Sequence, residues 1–304
     1  MININTDKDL YRCDPEDYIF KSLDFAKSLP IVEANDVNIH FFWKVPGVFG
    51  RKQLLPIKSA IATQNLNTTK IILWSNVDLS DNEYLKPYLK YIDLKIWDLQ
   101  AEAKNTILED CQFLNNAEDG LRYLDSDIFR LLCLHKYGGF YCDMDMVLLR
   151  DFNPLTPYQF AYQWSASGVE SKIKWAEWDT TVLNVNNAIV NIHRGSKLSL
   201  DLLNTLKHTR PQSQSNCWGR DLLNRVIIGR DDCVVFPCAW FNTEWLYVDK
   251  PILSFSASYE AKDKEFDGAF TWHWHNQWGA EIEEHSKFYN LEQKIERLFI
   301  EKGL

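Results

Sequence analysis

The fold is decided by residues 125–149, which read DSDIFRLLCLHKYGGFYCDMDMVLL. Apolar side chains recur there with the spacing of one helix face, at Ile128, Leu131, Leu132 and Leu134. This spacing predicts a helix over residues 126–137. Gly138 and Gly139 follow, and glycine ends a helix because it adopts the left-handed conformation of a C-terminal cap. The run from Phe140 to Leu149 then predicts a strand, so the segment reads as a helix that leads directly into a strand.

Further β-prone runs lie on the N-terminal side, at Asn38–Trp43, Lys70–Trp74 and Ile92–Trp97. Helical stretches alternate with these runs, which predicts βαβ units and a mainly parallel sheet. Towards the C-terminus the pattern predicts strands near 181–185 and 270–274, and helices near 197–206, 221–228 and 281–301. No repeat or long linker divides the chain. We therefore expect one α/β domain over residues 1–304, with an N-terminal helical extension over 1–35 and a C-terminal helix over 281–304.

Asp143 and Asp145 lie two residues apart in the strand predicted over 140–149. Side chains two apart in a strand share a face, so we expect both carboxylates to project together. Cys142, Met144 and Met146 would then pack on the other side. Adjacent carboxylates repel each other, and a divalent cation such as Mg²⁺ or Mn²⁺, which prefers carboxylate and phosphate oxygens, removes that penalty. The pair predicts a metal-assisted phosphate site, and the alternative interpretation is an exposed acidic strand end.

The charge of the chain limits its partners. The formal net charge is −9 and the sequence pI is near 5.3. Nucleic-acid binding needs a basic patch that neutralises phosphates, so we expect no nucleic-acid partner. A small phosphate-bearing ligand stays compatible with this charge. The 12 Trp residues exceed what a core of this size needs. Because flat aromatic faces stack on sugar and base rings, this excess favours such ligands, with an aromatic-rich core as the alternative.

Cysteine usage and hydropathy bear on the compartment. The seven cysteines are odd in number and form no CxxC pair, which favours a reducing compartment. The first 20 residues lack the basic segment and apolar stretch of a signal peptide, and no apolar run reaches the roughly 20 residues that cross a bilayer. We therefore expect a cytoplasmic protein without a transmembrane segment. Peripheral membrane contact through the helix over 281–301 stays open, although its acidic residues favour packing in the core.

Taken together, these motifs resemble the DXD-containing sugar-transfer glycosyltransferases. That family includes yeast-type initiating mannosyltransferases, α-1,4-galactosyltransferases and the catalytic domains of clostridial glucosylating toxins. Matching blocks follow one another in family order, at His40–Trp43, Ser126–Asp145, Asn187–Gly195 and Trp272–Trp278. The resemblance implies a GT-A fold, in which a Rossmann-like mixed sheet is flanked by helices. It also implies transfer with retention of anomeric configuration.

The resemblance also implies roles for residues that bind the donor. Trp43 would stack on the donor base, and Trp278 would close over the diphosphate. Asp127 and Arg130 would hold hydroxyls of the donor sugar, and they lie three apart on one helix face, where a joint role is geometrically reasonable. Asn187 belongs to the strand beside the donor sugar. The alternatives are a local salt bridge for Asp127 with Arg130 and a core position for Trp43.

The same resemblance implies a metal site. Asp145 would ligate the ion directly, and Asp143 would contact the ribose and the metal shell. Asp145 is therefore also a catalytic candidate, together with Asp127, Arg130 and Asn187. The family often has adjacent histidines before the first Trp of its C-terminal segment, whereas this chain reads Trp272-His273-Trp274-His275. Alignment on the tryptophans favours His273 as the metal or phosphate contact, and His275 stays an alternative.

The function expected from these motifs is metal-dependent, retaining transfer of a hexose from a UDP- or GDP-sugar. The acceptor would be a hydroxyl of a glycan or of a lipid-linked carbohydrate, as in polysaccharide biosynthesis. One alternative is a toxin-like transferase that glycosylates a protein side chain. A phosphotransferase or nuclease is disfavoured by the acidic pI and by the absence of a Gly-x-x-x-x-Gly-Lys loop. A non-catalytic nucleotide-sugar binder is disfavoured because Asp143 and Asp145 are both present.

Overall fold

The computed structural model describes residues 15–111, 114, 122–164, 185–209, 217–242, 251–258 and 267–304. Its strands are β1 (Val37–Trp43), β2 (Thr69–Ser75), β3 (Ile92–Ile96), β4 (Gly139–Cys142), β5 (Met146–Leu148), β6 (Phe160–Gln163), β7 (Val185–Ile192), β8 (Val234–Phe236) and β9 (Thr271–His273). Its α-helices are α1 (Pro15–Ser28), α2 (Arg51–Thr63), α3 (Leu99–Ala103), α4 (Arg122–Tyr137), α5 (Lys197–Lys207), α6 (Arg220–Ile227) and α7 (Lys287–Glu301). Short 3-10 turns cover Lys86–Tyr91, Asn153–Leu155, Cys238–Trp240 and Pro251–Phe255.

The main sheet has the strand order β3-β2-β1-β4-β7-β6-β8. The half formed by β3, β2, β1 and β4 is parallel throughout, in the order typical of a Rossmann-like nucleotide-binding half. β7 runs antiparallel to β4 and to β6, and β8 is parallel to β6. A separate two-stranded pair joins β5 to β9. The predicted fold, a Rossmann-like mixed sheet flanked by helices with helices near both termini, is confirmed.

Most element predictions agree with the structure, although several boundaries differ; the helix predicted over 126–137, for example, begins at Arg122. The C-terminal helix begins at Lys287, six residues after the predicted start, because Ser286 caps it by accepting the Tyr289 N–H. β3 is preceded by the 3-10 turn Lys86–Tyr91 rather than by an α-helix. Residues 1–14 of the predicted helical extension and residues 181–184 of the predicted strand lie outside the described residues.

The sheet lies between two apolar clusters. Along β1, Ile39 and Phe41 pack in one cluster and Phe42 packs in the other, as expected for alternating side chains of a strand. Helices α2 and α7 cover the first cluster, whereas α4, α5 and α6 cover the second. Of the nine tryptophans among the described residues, six belong to this core: Trp74, Trp97, Trp218, Trp240, Trp272 and Trp274. The aromatic-rich core, the alternative interpretation, therefore accounts for them.

Helix α7 packs into the core rather than presenting its apolar stripe to solvent. Phe288, Leu291 and Ile295 are buried in the cluster that α2 also lines. Ion pairs between the two helices, Arg51 with Glu292 and Lys58 with Glu296, flank this contact. Core packing, the favoured prediction for this helix, is confirmed. Within the described ranges, no helix combines the length and apolar character that crossing a membrane requires.

Candidate active site

Asp143 and Asp145 lie in a turn rather than in a strand. β4 ends at Cys142, β5 begins at Met146, and the Met146 N–H donates to the Asp143 carbonyl at 3.1 Å. The prediction that both carboxylates share one face of a continuous strand is therefore wrong. The physical reason is that β4 pairs within the main sheet whereas β5 pairs with β9, so the chain changes sheets at this turn. Cys142, Met144 and Met146 are buried, as predicted.

Arg130 joins the acidic groups on one side of this turn. Its Nη2 lies 3.3 Å from Asp127 Oδ1 and 3.2 Å from Asp143 Oδ1. Its Nη1 donates to the Asn187 carbonyl at 2.5 Å, and the Asn187 amide donates to Asp127 Oδ1 at 3.1 Å. The guanidinium also lies 4.5 Å from the centre of the Tyr141 ring. The structure thus brings together four residues predicted for the site, one from the turn, two from α4 and one from β7.

Gly138 makes this convergence possible. Its N–H donates to the Leu134 carbonyl at 2.9 Å, and its φ of +67° is the left-handed conformation that ends α4. β4 starts at the next residue, so the helix carrying Asp127 and Arg130 returns directly along the strand that leads to Asp143. The prediction that glycine ends α4 is confirmed. The short connection through Gly138 keeps the face of α4 that carries Asp127 and Arg130 close to the turn that carries Asp143.

Asp145 faces the C-terminal segment. The His273 ring lies with Nε2 3.1 Å from Asp145 Oδ2, and the Asn276 N–H donates to the same oxygen at 2.8 Å. The Trp274 N–H donates to the Asp145 carbonyl at 3.1 Å. His275, the alternative to His273, has its ring centre 4.0 Å from that of His273, and its Nε2 lies 2.9 Å from Asn242 Oδ1. Of the two histidines, His273 is the one that contacts the acidic turn.

Burial and neighbouring charges separate the three carboxylates. Burial raises the pKa of Asp127 to about 6, although the Arg130 charge acts in the opposite direction. Burial also raises the pKa of Asp143, and the Asp145 charge adds to this rise while Arg130 opposes it. Burial alone would raise the pKa of Asp145, but His273 and the hydrogen bond from the Asn276 N–H outweigh burial, and the pKa of Asp145 is lowered. The site therefore holds one carboxylate that stays ionised well below neutral pH beside two that ionise less readily.

Trp43 and Trp278 meet at the edge of this cluster. Their ring centres lie 5.2 Å apart, and both side chains are partly exposed. The Trp43 indole donates to the Gly47 carbonyl at 3.1 Å, and the Trp278 indole donates to Asn276 Oδ1 at 2.9 Å. These are the two tryptophans that the resemblance assigned to the nucleotide. Because both keep an accessible ring, they differ from the fully buried tryptophans of the core.

The donor set suits a hard cation that is held together with a ligand. The hydrogen bonds from Arg130 and Tyr141 to the Asp143 side chain reach Oδ1, and those from His273 and Asn276 to the Asp145 side chain reach Oδ2. The other oxygen of each carboxylate receives none of these four hydrogen bonds. No group of three or more His, Cys, Asp or Glu side chains among the described residues is arranged to hold a metal ion alone. This fits Mg²⁺ or Mn²⁺, which take one or two carboxylates and complete their shell with water and phosphate.

Two residues of the cluster had no role in the sequence prediction. The Tyr141 hydroxyl donates to Asp143 Oδ1 at 2.5 Å, and its place two residues before Asp143 was the available signal. Gly219, which precedes α6, has no local pattern to identify it. A Cβ at this position would lie 2.9 Å from both carboxylate oxygens of Asp127 and 2.7 Å from Asn187 Nδ2. Cβ atoms essentially never come this close, so a side chain at position 219 would require Asp127 or Asn187 to shift, and the Gly219 backbone forms a wall of the site.

A protein-family comparison bears on this cluster. Residues 55–161 match the family model described as the glycosyltransferase sugar-binding region containing a DXD motif. The matched span includes Asp127, Arg130, Asp143 and Asp145. It confirms the resemblance that the motifs indicated. Trp43 and the segments carrying Asn187, His273 and Trp278 lie outside the match.

Solved glycosyltransferase structures share a distant likeness with the chain. PaToxG glycosyltransferase is 16% identical with a TM-score of 0.40, over 72% of this chain and 78% of its own. The apo-form glycosyltransferase GlyE of Streptococcus pneumoniae TIGR4 is 13% identical with a TM-score of 0.46, over 88% of this chain and 64% of its own. An active-site mutant of LgtC is 10% identical with a TM-score of 0.45, over 87% and 96% respectively. No curated protein matched the chain by sequence. At these levels the structural likeness carries no information on donor or acceptor.

Proposed function

We propose that the protein is a metal-dependent, retaining hexosyltransferase, since residues 55–161 match the model of the glycosyltransferase sugar-binding region containing a DXD motif. Its donor is a nucleotide-diphosphate sugar, UDP- or GDP-linked, and its acceptor is a hydroxyl of a glycan or of a lipid-linked carbohydrate. The observation that carries the proposal is a pair of buried contact networks that meet at the turn 143–145, one joining Arg130 to Asp127 and Asp143, the other joining Asp145 to His273. Such clusters of buried, unequal carboxylates are typical of functional sites.

The residues divide between the two ends of the donor. The partly exposed rings of Trp43 and Trp278 bind the base and cover the diphosphate. Asp127, oriented by the Asn187 amide and by Arg130, accepts hydrogen bonds from hydroxyls of the sugar. Arg130 stays cationic, because burial lowers the pKa of its guanidinium but the Asp143 and Asp127 charges outweigh burial and raise that pKa. The guanidinium thereby holds the Asp127 carboxylate, at the sugar, and the Asp143 carboxylate, at the cation, at a fixed separation.

Asp143 and Asp145 would hold the cation, with His273 beside Asp145. When bound there, Mn²⁺ or Mg²⁺ would supply positive charge next to the leaving diphosphate. His273 and the Asn276 N–H both fix Oδ2 of Asp145 and thereby orient its other oxygen towards the ligand. Their hydrogen bonds also keep Asp145 ionised, which a metal ligand requires.

The transfer step breaks the bond between the anomeric carbon and the diphosphate oxygen and forms a bond from that carbon to the acceptor oxygen. For retention, the acceptor attacks from the face that the diphosphate leaves, and a diphosphate oxygen takes the acceptor proton. The transition state has oxocarbenium character, as in other glycosyl chemistry. A trapped covalent glycosyl–enzyme intermediate, or a product of inverted configuration, would contradict this part of the proposal.

We further propose that residues 1–304 act as one GT-A domain and that the protein works in the cytoplasm, where it meets its nucleotide-sugar donor. The support is the arrangement of the site itself. Trp43 comes from β1, Asp127 and Arg130 come from α4, and His273 comes from β9, so segments from across the described chain build one donor site. Expression of residues 29–304 and of residues 1–280 tests this, because loss of folding in each would show that both terminal helices belong to the unit.

The test of the proposed function is a donor panel. The protein is incubated with MnCl₂ and a series of UDP- and GDP-sugars, and release of free nucleotide is followed with and without EDTA. We expect one donor to be hydrolysed selectively, and Asp145→Ala to lower the rate at least about 100-fold, as removal of a group that stabilises transition-state charge commonly does. Asp36→Asn, an exposed aspartate paired with Lys70, is the matched control and should keep the wild-type rate. Equal turnover by wild type and Asp145→Ala, or turnover unaffected by EDTA, would reject the assignment.

A further inference from the structure

Lys52 makes an unusual set of contacts for a lysine near the start of a helix. It is the second residue of α2 and is 9% exposed. Its ammonium donates to the carbonyl oxygens of Gln277 at 2.7 Å and Trp278 at 2.9 Å, and also to that of Ala280. The same Nζ lies 4.6 Å from the centre of the Phe255 ring. All three donors of one buried ammonium are therefore directed at backbone oxygens of a segment more than 200 residues away in the sequence.

This segment has a backbone that needs support. His275 and Asn276 have φ values of +53° and +57°, in the left-handed region that residues other than glycine rarely adopt. Such conformations persist only when the surrounding structure holds them. On the N-terminal side, Asp145 holds the segment by accepting the Trp274 and Asn276 N–H groups. On the C-terminal side, the three bonds from Lys52 hold it. The left-handed pair thus lies between two anchors, one carboxylate and one ammonium.

Trp278 lies at the centre of the second anchor. Its carbonyl accepts a hydrogen bond from Lys52. Its ring centre lies 5.2 Å from that of Trp43 and 4.5 Å from that of Trp274. Release of this carbonyl would free the Trp278 ring to leave Trp43. The position of the Trp278 ring, which we propose binds the donor, therefore depends on Lys52 of α2.

We propose that Lys52 is a positioning residue of the donor site, which holds residues 277–280 so that Trp278 stays at Trp43 before the donor binds. The inference rests on the proposed function, since it assigns Trp278 to nucleotide binding. Lys52 itself touches neither substrate nor metal. Its effect is to keep the binding-competent arrangement populated, and the apparent affinity for a ligand falls by the fraction of molecules that leave that arrangement.

A second lysine of α2 provides a matched control. Lys58 lies six residues further along the helix, is 8% exposed and forms an ion pair with Glu296. Its Nζ lies 5.3 Å from the Phe299 ring, so it anchors α7 rather than the segment that carries Trp278. Lys58→Met and Lys52→Met remove the same charge from the same helix at similar burial. A general loss of stability affects both variants, whereas loss of the donor-site anchor affects only one.

The experiment combines hydrogen exchange with nucleotide binding. Exchange of backbone amides is followed by mass spectrometry in wild type, Lys52→Met and Lys58→Met. Binding of UDP and of GDP, each with MnCl₂, is measured by calorimetry. We expect Lys52→Met to accelerate exchange in peptides covering 274–280 and to raise the Kd of the bound nucleotide about tenfold, as expected if the competent arrangement falls to about a tenth of the population. Lys58→Met should accelerate exchange in 287–301 and leave the Kd within about twofold of wild type.

Lys52→Arg tests the inference if Lys52→Met does not fold. It keeps the charge, but a planar guanidinium cannot direct its donors as one ammonium nitrogen does, so the same changes should appear at smaller size. Unchanged exchange in 274–280, or faster exchange with an unchanged Kd, would overturn the positioning role. If the wild-type protein binds neither nucleotide, both the proposed function and the role of Lys52 in donor binding are wrong. If the wild-type protein binds a nucleotide and Lys52→Met binds it equally well, only the role of Lys52 is wrong.

Discussion

Replacement of Arg130 by methionine should be among the most destabilising single changes at this site. The guanidinium is 4% exposed and lies within 3.3 Å of both Asp127 and Asp143, whose side chains are 6% and 27% exposed. Methionine has a similar stem but no charge and no donors. The variant leaves the Asp127 carboxylate buried without its cation, while solvent screens part of the effect at Asp143.

Removal of one partner from a buried ion pair costs about 3–5 kcal/mol, because the remaining charge stays desolvated. This is a large part of the 5–15 kcal/mol that typically separates folded from unfolded domains. The pH gives an internal check. Burial already raises the pKa of Asp127 to about 6 with Arg130 present, and loss of the guanidinium should raise it further. The cost in Arg130→Met should therefore be full at pH 8 and smaller at pH 5, where the carboxyl group takes up a proton.

The free energy of unfolding is measured by urea titration at pH 5 and pH 8 for wild type, Arg130→Met and Asp127→Asn, and for the double variant. The double variant should lose less than the sum of the two single changes, with a coupling of at least about 1 kcal/mol. Arg297→Met, on the exposed face of α7, should stay within about 0.5 kcal/mol of wild type. A loss below about 1 kcal/mol in Arg130→Met, or an equal loss at both pH values, would refute this reasoning.

Two further variants test features away from Arg130. Gly219→Ala places a methyl group within 3 Å of Asp127 and Asn187. Donor turnover should therefore fall at least about tenfold, while the affinity for UDP stays near that of wild type. Turnover equal to wild type would show that Asp127 and Asn187 can shift to admit the methyl group. His40 is buried, its Nδ1 accepts the Trp74 indole N–H, and burial lowers its pKa from 6.5 to about 4. Because the unfolded state then binds the extra proton, wild type should lose about 3 kcal/mol relative to His40→Gln as pH falls from 7 to 4, and a constant difference in urea titrations would contradict this.

The order of helices and strands was predictable because its signals are local. The apolar spacing after Ser126 and the glycines at 138 and 139 mark α4 and its end from residues within one or two turns of each other. The parallel half of the sheet follows from the alternation of such segments. The turn at Asp143 was not predictable in the same way. Residues 140–149 are apolar enough for one strand, and only pairing of β5 with β9, more than 120 residues later, interrupts it.

The residues of the site that belong to the family motif could be predicted from the sequence. The residues that reach the site only through tertiary contacts could not. Asp127, Arg130 and Asp143 are close because α4 and β4 are joined directly, which the sequence order already indicates. The approach of Gly219 to Asp127 depends on how α6 packs, and no residue spacing reports it. The contact of Lys52 with residues 277–280 likewise joins segments whose local patterns are unrelated.

The pairing of β5 with β9 has a consequence for how the protein comes to be active. Residues 146–148 can find their partners at 271–273 only after the ribosome has delivered both, whereas the parallel half of the sheet is complete once β4 has emerged. Contacts of such long sequence separation form late, since loop closure must precede them. A nascent chain can therefore carry a formed parallel half of the sheet while the turn at Asp143 and Asp145 still lacks its contact with His273. That contact should form with the last strand rather than build up gradually as the chain lengthens.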